Sequence, residues 1–235
     1  MNPINRREVL RRSAFGFAAA GTAGLLLPAS AEPTPPSGNP DEALAVVERG
    51  TGSPQPSPAG RWAPTEDNIL GPYHRPDAPF RAKITPPLEP GDVLVVQGRV
   101  WALDSRKPLS GAVIDIWQAN AQGRYDNDDP KNPPQRGVFK NRARLVTDAA
   151  GYYEYETVRP GHYSIGVNRW RPSHIHYMVR AADYKTLVTQ LYFAGDKHNA
   201  TDAFIKKSLI IAPQKVVVAA GTYEMGTFDI VLARA

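Results

Sequence analysis

The run Asp92-Val-Leu-Val-Val-Gln-Gly-Arg-Val-Trp101 sets the tightest limit on how this chain can fold. Read at the two-residue period of a strand, it places Leu94, Val96 and Val100 on one face and Val93, Val95 and Trp101 on the other. Apolar side chains on both faces make it a central strand with layers above and below. A second alternating segment, Gly221 to Leu232, puts Phe228, Ile230 and Leu232 on one face, and Val216 to Val218 leads into it. Short strands at this spacing, punctuated by glycine and proline turns, predict an all-β chain: a single β-sandwich domain of the transthyretin or immunoglobulin type with few short helices. The domain is expected over residues 65–235, with one short helix at Asn199 to Leu209.

The residues before the domain have a different character. Asn5-Arg6-Arg7-Glu8-Val9-Leu10-Arg11 resembles a twin-arginine export motif, a weakly apolar stretch from Ala14 to Leu27 follows, and Ala29-Ser30-Ala31 is a small-residue cleavage site. The apolar stretch is too short and too rich in glycine and alanine for a stable membrane span. Residues 1–31 are therefore expected to be a removable address for the periplasm or exterior, leaving no membrane anchor. Residues 32–64, rich in proline, serine and glycine, are expected to form a tether with a short helix at Asp41 to Arg49. The chain contains no cysteine, so neither disulfides nor a lipid-anchor cysteine enter the argument. Its net charge of +5 comes from 28 basic and 23 acidic residues, and four arginines against Glu8 in the first 31 residues supply most of it. No basic stripe argues for nucleic acid.

Chemistry concentrates in four side chains. In His174-Ile175-His176 the two imidazoles project from one strand face, which is half of a metal site. Tyr125 closes the polar turn around Gly123, and Tyr163 follows the turn Arg159-Pro-Gly-His162, positions at which a scaffold presents functional groups. Ionising a tyrosine of pKa ~10 at pH 7 costs about 4 kcal/mol, so two phenolates call for a hard trivalent cation such as iron(III). Zinc would take histidine, cysteine or carboxylate instead. Arg171, three residues before His174, is a cation placed to favour phenolate and carbanion character, although an arginine there is equally a solvated surface residue on sequence alone.

Four segments together resemble the intradiol ring-cleavage dioxygenases, the group of catechol 1,2-dioxygenases and protocatechuate 3,4-dioxygenases. They are Pro108 to Tyr125, Thr147 to Tyr163, Trp170 to His176 and Thr189 to Phe193, within a resemblance running from about Asn68 to about Asp202. The resemblance implies non-haem iron(III) held by Tyr125, Tyr163, His174 and His176, with hydroxide in the fifth position. It further implies a catechol-type substrate that displaces hydroxide and Tyr163, and O2 as co-substrate, giving a cis,cis-muconate-type diacid. Arg171 and Gln190 fall on positions that stabilise charge on the ring, Tyr192 on a supporting position near the substrate, and the family admits homo-oligomers.

The stretch before the sandwich is too short and too rich in proline for the helical segment of catechol 1,2-dioxygenases, so the build is nearer the protocatechuate type. His162 stands where relatives often carry a smaller or imino residue. Thr65 to Pro79 resembles the family's Gly-Pro segment across the mouth of the site. That makes Tyr73 and His74 candidate pocket residues, and His74, Arg75 or Arg81 candidate partners for a substrate carboxylate. Two other classes stay open at this point: a secreted transthyretin-like binding module, and a copper protein using the same histidines.

Overall fold

A computed structural model of the chain describes residues 62–219 and 221–235. The export motif, the cleavage site, nearly all of the tether and its expected helix lie outside the described residues. Twelve strands run in chain order: β1 (Val93–Ala102), β2 (Val113–Gln118), β3 (Arg142–Val146), β4 (Tyr152–Val158), β5 (Tyr163–Gly166), β6 (Arg169–Arg171), β7 (His174–Arg180), β8 (Leu187–Phe193), β9 (Ile210–Ile211), β10 (Gln214–Val218), β11 (Gly221–Thr227) and β12 (Ile230–Leu232).

β1 is central, as its two apolar faces require. It pairs antiparallel with β4 along one edge, and parallel with β11 and then β12 along the other. The break between β11 and β12 is bridged by Phe228 N–H donating to Gln97 O (2.8 Å) and Arg99 N–H donating to the Asp229 carboxylate (2.8 Å). A second five-stranded sheet has the order β3-β2-β7-β8-β9, and β5 and β6 form a separate two-stranded ribbon.

Between the sheets lies one apolar core: Leu94, Val96 and Val100 from β1, Ile114 and Ile116 from β2, Ile175, Tyr177 and Val179 from β7, and Phe228, Ile230 and Leu232 from the C-terminal end. Full burial of such side chains contributes about 1.5–3 kcal/mol each. It also fixes register, because a one-residue slip of β7 would turn Ile175, Tyr177 and Val179 out of the core.

The helix expected over Asn199 to Leu209 does not form; among the described residues only a 3-10 turn at Lys207–Leu209 is helical. The segment is held by local alternatives to a helix. The Asn199 side-chain amide donates to Phe193 O (2.8 Å) and the Asp202 carboxylate accepts from Phe204 N (2.6 Å), so the single turn in which the amides of Thr201 and Asp202 donate to His198 O (3.2 Å) does not propagate. Asn and Asp side chains compete with helical bonding in this way.

Candidate active site

The core register of β7 decides what its other face presents. With Ile175, Tyr177 and Val179 turned inward, His174 and His176 share the opposite face. In the ladders on either side, Trp117 of β2 and Gln190 of β8 stand opposite His176, and Tyr192 stands opposite His174. Nδ1–H of His174 donates to Pro172 O (2.6 Å), which leaves its Nε2 lone pair facing His176 Nε2 at 3.2 Å and the Tyr125 hydroxyl at 3.4 Å. Nδ1 of His176 is buried without a hydrogen-bond partner. Its ring is held by packing instead, because Trp117 stacks on it with centroids 4.9 Å apart and planes 10° apart.

The two tyrosines arrive on loops that are locked together. Asn120 closes the first loop: its side-chain oxygen accepts from Gln122 N (3.0 Å) and Arg124 N (2.9 Å), and its backbone carbonyl accepts from both Gly123 N (3.0 Å) and Gly161 N (2.8 Å). Gly123 adopts φ +76° and lies so close to the second loop that a Cβ would stand 2.3 Å from His162 O. That approach sets the Tyr125 and Tyr163 rings edge to face, with centroids 5.7 Å apart, and Tyr163 lies 5.7 Å from the His174 ring. Tyr125 is fully buried, whereas Tyr163 is half-buried.

Burial, with the neighbouring Tyr163 next, pushes the Tyr125 phenol well above its usual pKa; burial also raises Tyr163, against the pull of Arg171. Burial likewise lowers His174 to about 3 and takes His176 well below the ordinary value, so both imidazoles are neutral ligand forms. No group of three or more His, Cys, Asp or Glu among the described residues could hold a metal. The further protein donors beside the two imidazoles are the phenols of Tyr125 and Tyr163. Two imidazole Nε2 atoms 3.2 Å apart beside two phenols fit iron(III), whose charge offsets the cost of ionising tyrosines that burial has made weaker acids.

Arg171 stands opposite Tyr163 in the β5–β6 ribbon and is buried. Its Nε donates to Asp202 (2.5 Å), one Nη donates to Gln190 Oε1 (2.6 Å) and Tyr192 Oη (3.2 Å), and its guanidinium lies 4.8 Å over the Phe204 ring. Gln190 is fixed in turn, donating to Ile69 O (2.8 Å) and accepting from the Tyr192 hydroxyl (2.7 Å). Tyr192 is fully buried and braces Arg171 and Gln190.

The segment around Gly71 crosses the site. Tyr73 stacks on Tyr125 (4.2 Å, 17°) and meets Tyr163 edge-on at 6.2 Å, and Gly71 lies against the Cε1–Nε2 edge of His176. The three cations considered for a substrate carboxylate are engaged elsewhere. His74 faces Asp115 (3.4 Å) with its ring against Trp117, Arg75 is paired with Asp126 (2.6 Å), and Arg81 donates to the carbonyls of Ile84, Phe139 and Arg142. His162 is exposed and faces away from the phenols, toward Trp170 and His198. Trp117 and Asp202 were not singled out in the sequence; the signal for Trp117 is its cross-strand register with His176, and Asp202 has no local signal.

Residues 69–234 match the family described as Dioxygenase (Dioxygenase_C). A chlorocatechol 1,2-dioxygenase from Rhodococcus opacus is 32% identical over 194 residues, covering 74% of this chain and 73% of its own length. The protocatechuate 3,4-dioxygenase beta chain of Burkholderia cepacia is 38% identical over 154 residues, covering 60% of this chain and 65% of its own. Among solved structures, the dioxygenase domain of a dioxygenase and carbohydrate-binding fusion from Streptomyces sp. SirexAA-E superposes with a TM-score of 0.62 at 35% identity, over 74% of this chain and 100% of that domain. On this sequence match, this shared fold and this arrangement of side chains, the chain belongs to the intradiol ring-cleavage dioxygenases.

Proposed function

We propose that the protein is an exported, iron(III)-dependent dioxygenase that opens catechol-type rings between their two hydroxylated carbons, with O2, to cis,cis-muconate-type diacids. The observation that carries this reading is the convergence of Tyr125, Tyr163, His174 and His176, with Arg171 buried beside Tyr163. Iron(III) held by those four would keep both phenols ionised, chelate the catechol oxygens and activate the ring toward O2.

The chain's own residues set up the rest. Tyr163, half-buried on a short ribbon, is the phenolate able to leave its position and accept the proton of an incoming catechol hydroxyl. Tyr125, buried under Tyr73, stays in place. Arg171 offers a preorganised positive charge to a ring that becomes ketonic, and Gln190 fixes its position. The export half of the proposal rests on the twin arginines Arg6 and Arg7 ahead of the apolar stretch.

The test is reconstitution. Iron(III)-loaded protein should be red to purple from tyrosinate-to-iron charge transfer, consume O2 with catechol, and place both atoms of 18O2 in a ring-opened diacid. A preparation that stays colourless after iron loading and consumes no O2 would overturn the reading. For export, replacing Arg6 and Arg7 by lysine should hold folded protein in the cytoplasm; unchanged export would point to another route.

A further inference from the structure

The chain has five histidines. Two are the converging pair on β7, and His74 is bound to Asp115. The remaining two, His162 and His198, come from segments 36 positions apart in sequence and meet on the side of the β5–β6 ribbon away from the phenols. We propose that His162 and His198 form a second metal site, reached from solvent past the exposed His162, that takes a divalent late-transition ion such as Zn(II) or Cu(II).

Geometry is the first support. The two rings lie with centroids 4.7 Å apart and planes at 56°, close to the 4.8 Å and 68° of His174 and His176, whose Nε2 atoms approach to 3.2 Å. Two imidazole rings this close can share one ion. A second, independent observation is that His198 Nε2 is buried with no hydrogen-bond partner. An unsatisfied buried imidazole nitrogen costs about 1–3 kcal/mol, a cost that coordination removes.

Both ends of the pair are preorganised. His198 is pinned through its backbone: its N–H donates to Asp196 Oδ1 (2.9 Å), and its carbonyl accepts from Thr201 and Asp202. The other Asp196 oxygen accepts from Ser173 N (2.8 Å), so the loop is tied to the residue just before β7. His162 is pinned by the contact of its carbonyl with Gly123. Trp170 lies flat on His198 (5.4 Å, 17°) and edge-on to His162 (5.4 Å, 73°), which restricts both rings.

Chemistry narrows the ion. Two neutral imidazoles suit zinc, copper or nickel and not calcium or magnesium, which take oxygen ligands. Among the described residues no further His, Cys, Asp or Glu completes a group of three, so water fills the other positions and binding is of moderate strength. His162 is exposed, which gives the ion a path from solvent. It also immediately precedes Tyr163, so an ion there would tie the ribbon carrying Tyr163 and Arg171 to the loop after β8. On the catechol reading above, that tie would slow turnover.

The experiment titrates iron-loaded protein with Zn(II) by calorimetry and with Cu(II) by electron paramagnetic resonance. One additional equivalent should bind, with nitrogen hyperfine splitting for copper. His162→Gln and His198→Gln should each weaken it by at least about tenfold, as expected for loss of a ligand. The charge-transfer band of both variants should match wild type, which shows them folded. The same titration of His176→Ala should retain this ion, which separates the site from the primary one should that protein fail to hold iron. No binding at submillimolar Zn(II), or binding unaffected by either substitution, would overturn the proposal and mark an adventitious surface ion.

Discussion

Replacing Gly71 by alanine tests whether the segment across the mouth positions His176. Gly71 has φ +72°, and an added Cβ would stand 3.1 Å from His176 Cε1 and 3.7 Å from Nε2, the edge that faces the ligand cluster. Two effects follow, and a second glycine separates them. The left-handed backbone costs a non-glycine residue about 1–2 kcal/mol. Gly111, at φ +73° with nothing within 4 Å of an added Cβ, carries that term alone. Gly71→Ala adds a contact tighter than ordinary van der Waals distance on a ring that Trp117 and the burial around it leave little room to shift. Gly71→Ala should therefore lose at least as much stability as Gly111→Ala, and it alone should release iron faster, by about 10-fold to 100-fold, the effect of disturbing a ligand's support. The assay loads each protein with iron(III), follows loss of the charge-transfer band into a chelator, and measures denaturant midpoints alongside. Equal iron release from the two alanine variants would refute the idea that Gly71 makes room for His176.

Tyr125→Phe and His176→Ala should each strongly reduce iron content by elemental analysis, because each removes a buried donor; full iron in both would remove them from the ligand set. Tyr163→Phe should retain more iron than Tyr125→Phe yet lose turnover, read by catechol titration and O2 uptake, since it deletes both an anionic ligand and the proton acceptor. Wild-type turnover in that variant would make Tyr163 a packing residue. Asp115 is the pH-dependent case: burial, outweighing His74 and Arg180, raises its carboxyl above the usual 3.8. A folded value above the unfolded one means that this group's contribution is fully present below 3.8 and is lost as pH rises through the folded value. Asp115→Asn should accordingly be at least as stable as wild type at pH 7, with the advantage vanishing in acid; denaturant midpoints showing wild type the more stable at pH 7 would mean that the His74 contact wins.

What could be read along the chain is what depends on local period and local turns. Two apolar faces mark β1 as central, and alternation alone puts His174 and His176 together, because both follow from strand geometry. The loop-edge positions of Tyr125 and Tyr163 follow from the turns before them. What sequence does not carry is the set of partners that arrive from elsewhere. Arg171 could equally have been a solvated arginine until Asp202, 31 residues on, was found against it. Trp117 depends on the register of β2 with β7. Arg75 and Arg81 looked available to a substrate because nothing local shows that Asp126 and a row of carbonyls engage them. The expected helix at Asn199 to Leu209 fails for the same reason: Asp202 and Asn199 serve distant groups and turns, and the segment follows them.

The four site residues also differ in how firmly the fold holds them, and the difference follows the chemistry assigned to each. His174 and His176 ride on β7, paired on both sides within a sheet whose other face is the core, where opening approaches the cost of global unfolding. Tyr125 is buried beneath Tyr73, and its loop is closed by Asn120. Tyr163 alone sits on the two-stranded β5–β6 ribbon, whose Ser164, Ile165, Gly166, Arg169 and Trp170 are exposed; an isolated pair of strands is marginally stable by itself. Arg171, directly opposite Tyr163 in that ribbon, is the exception, fastened to Asp202 by a buried ion pair whose one-sided loss costs about 3–5 kcal/mol. The cation that must not move is thus anchored beside Tyr163, and the part free to leave is the half-buried phenol side chain rather than the strand end that carries it. A ligand that exchanges with substrate has to be cheap to displace, and placing it on the weakest paired element of the fold achieves that without loosening the other three.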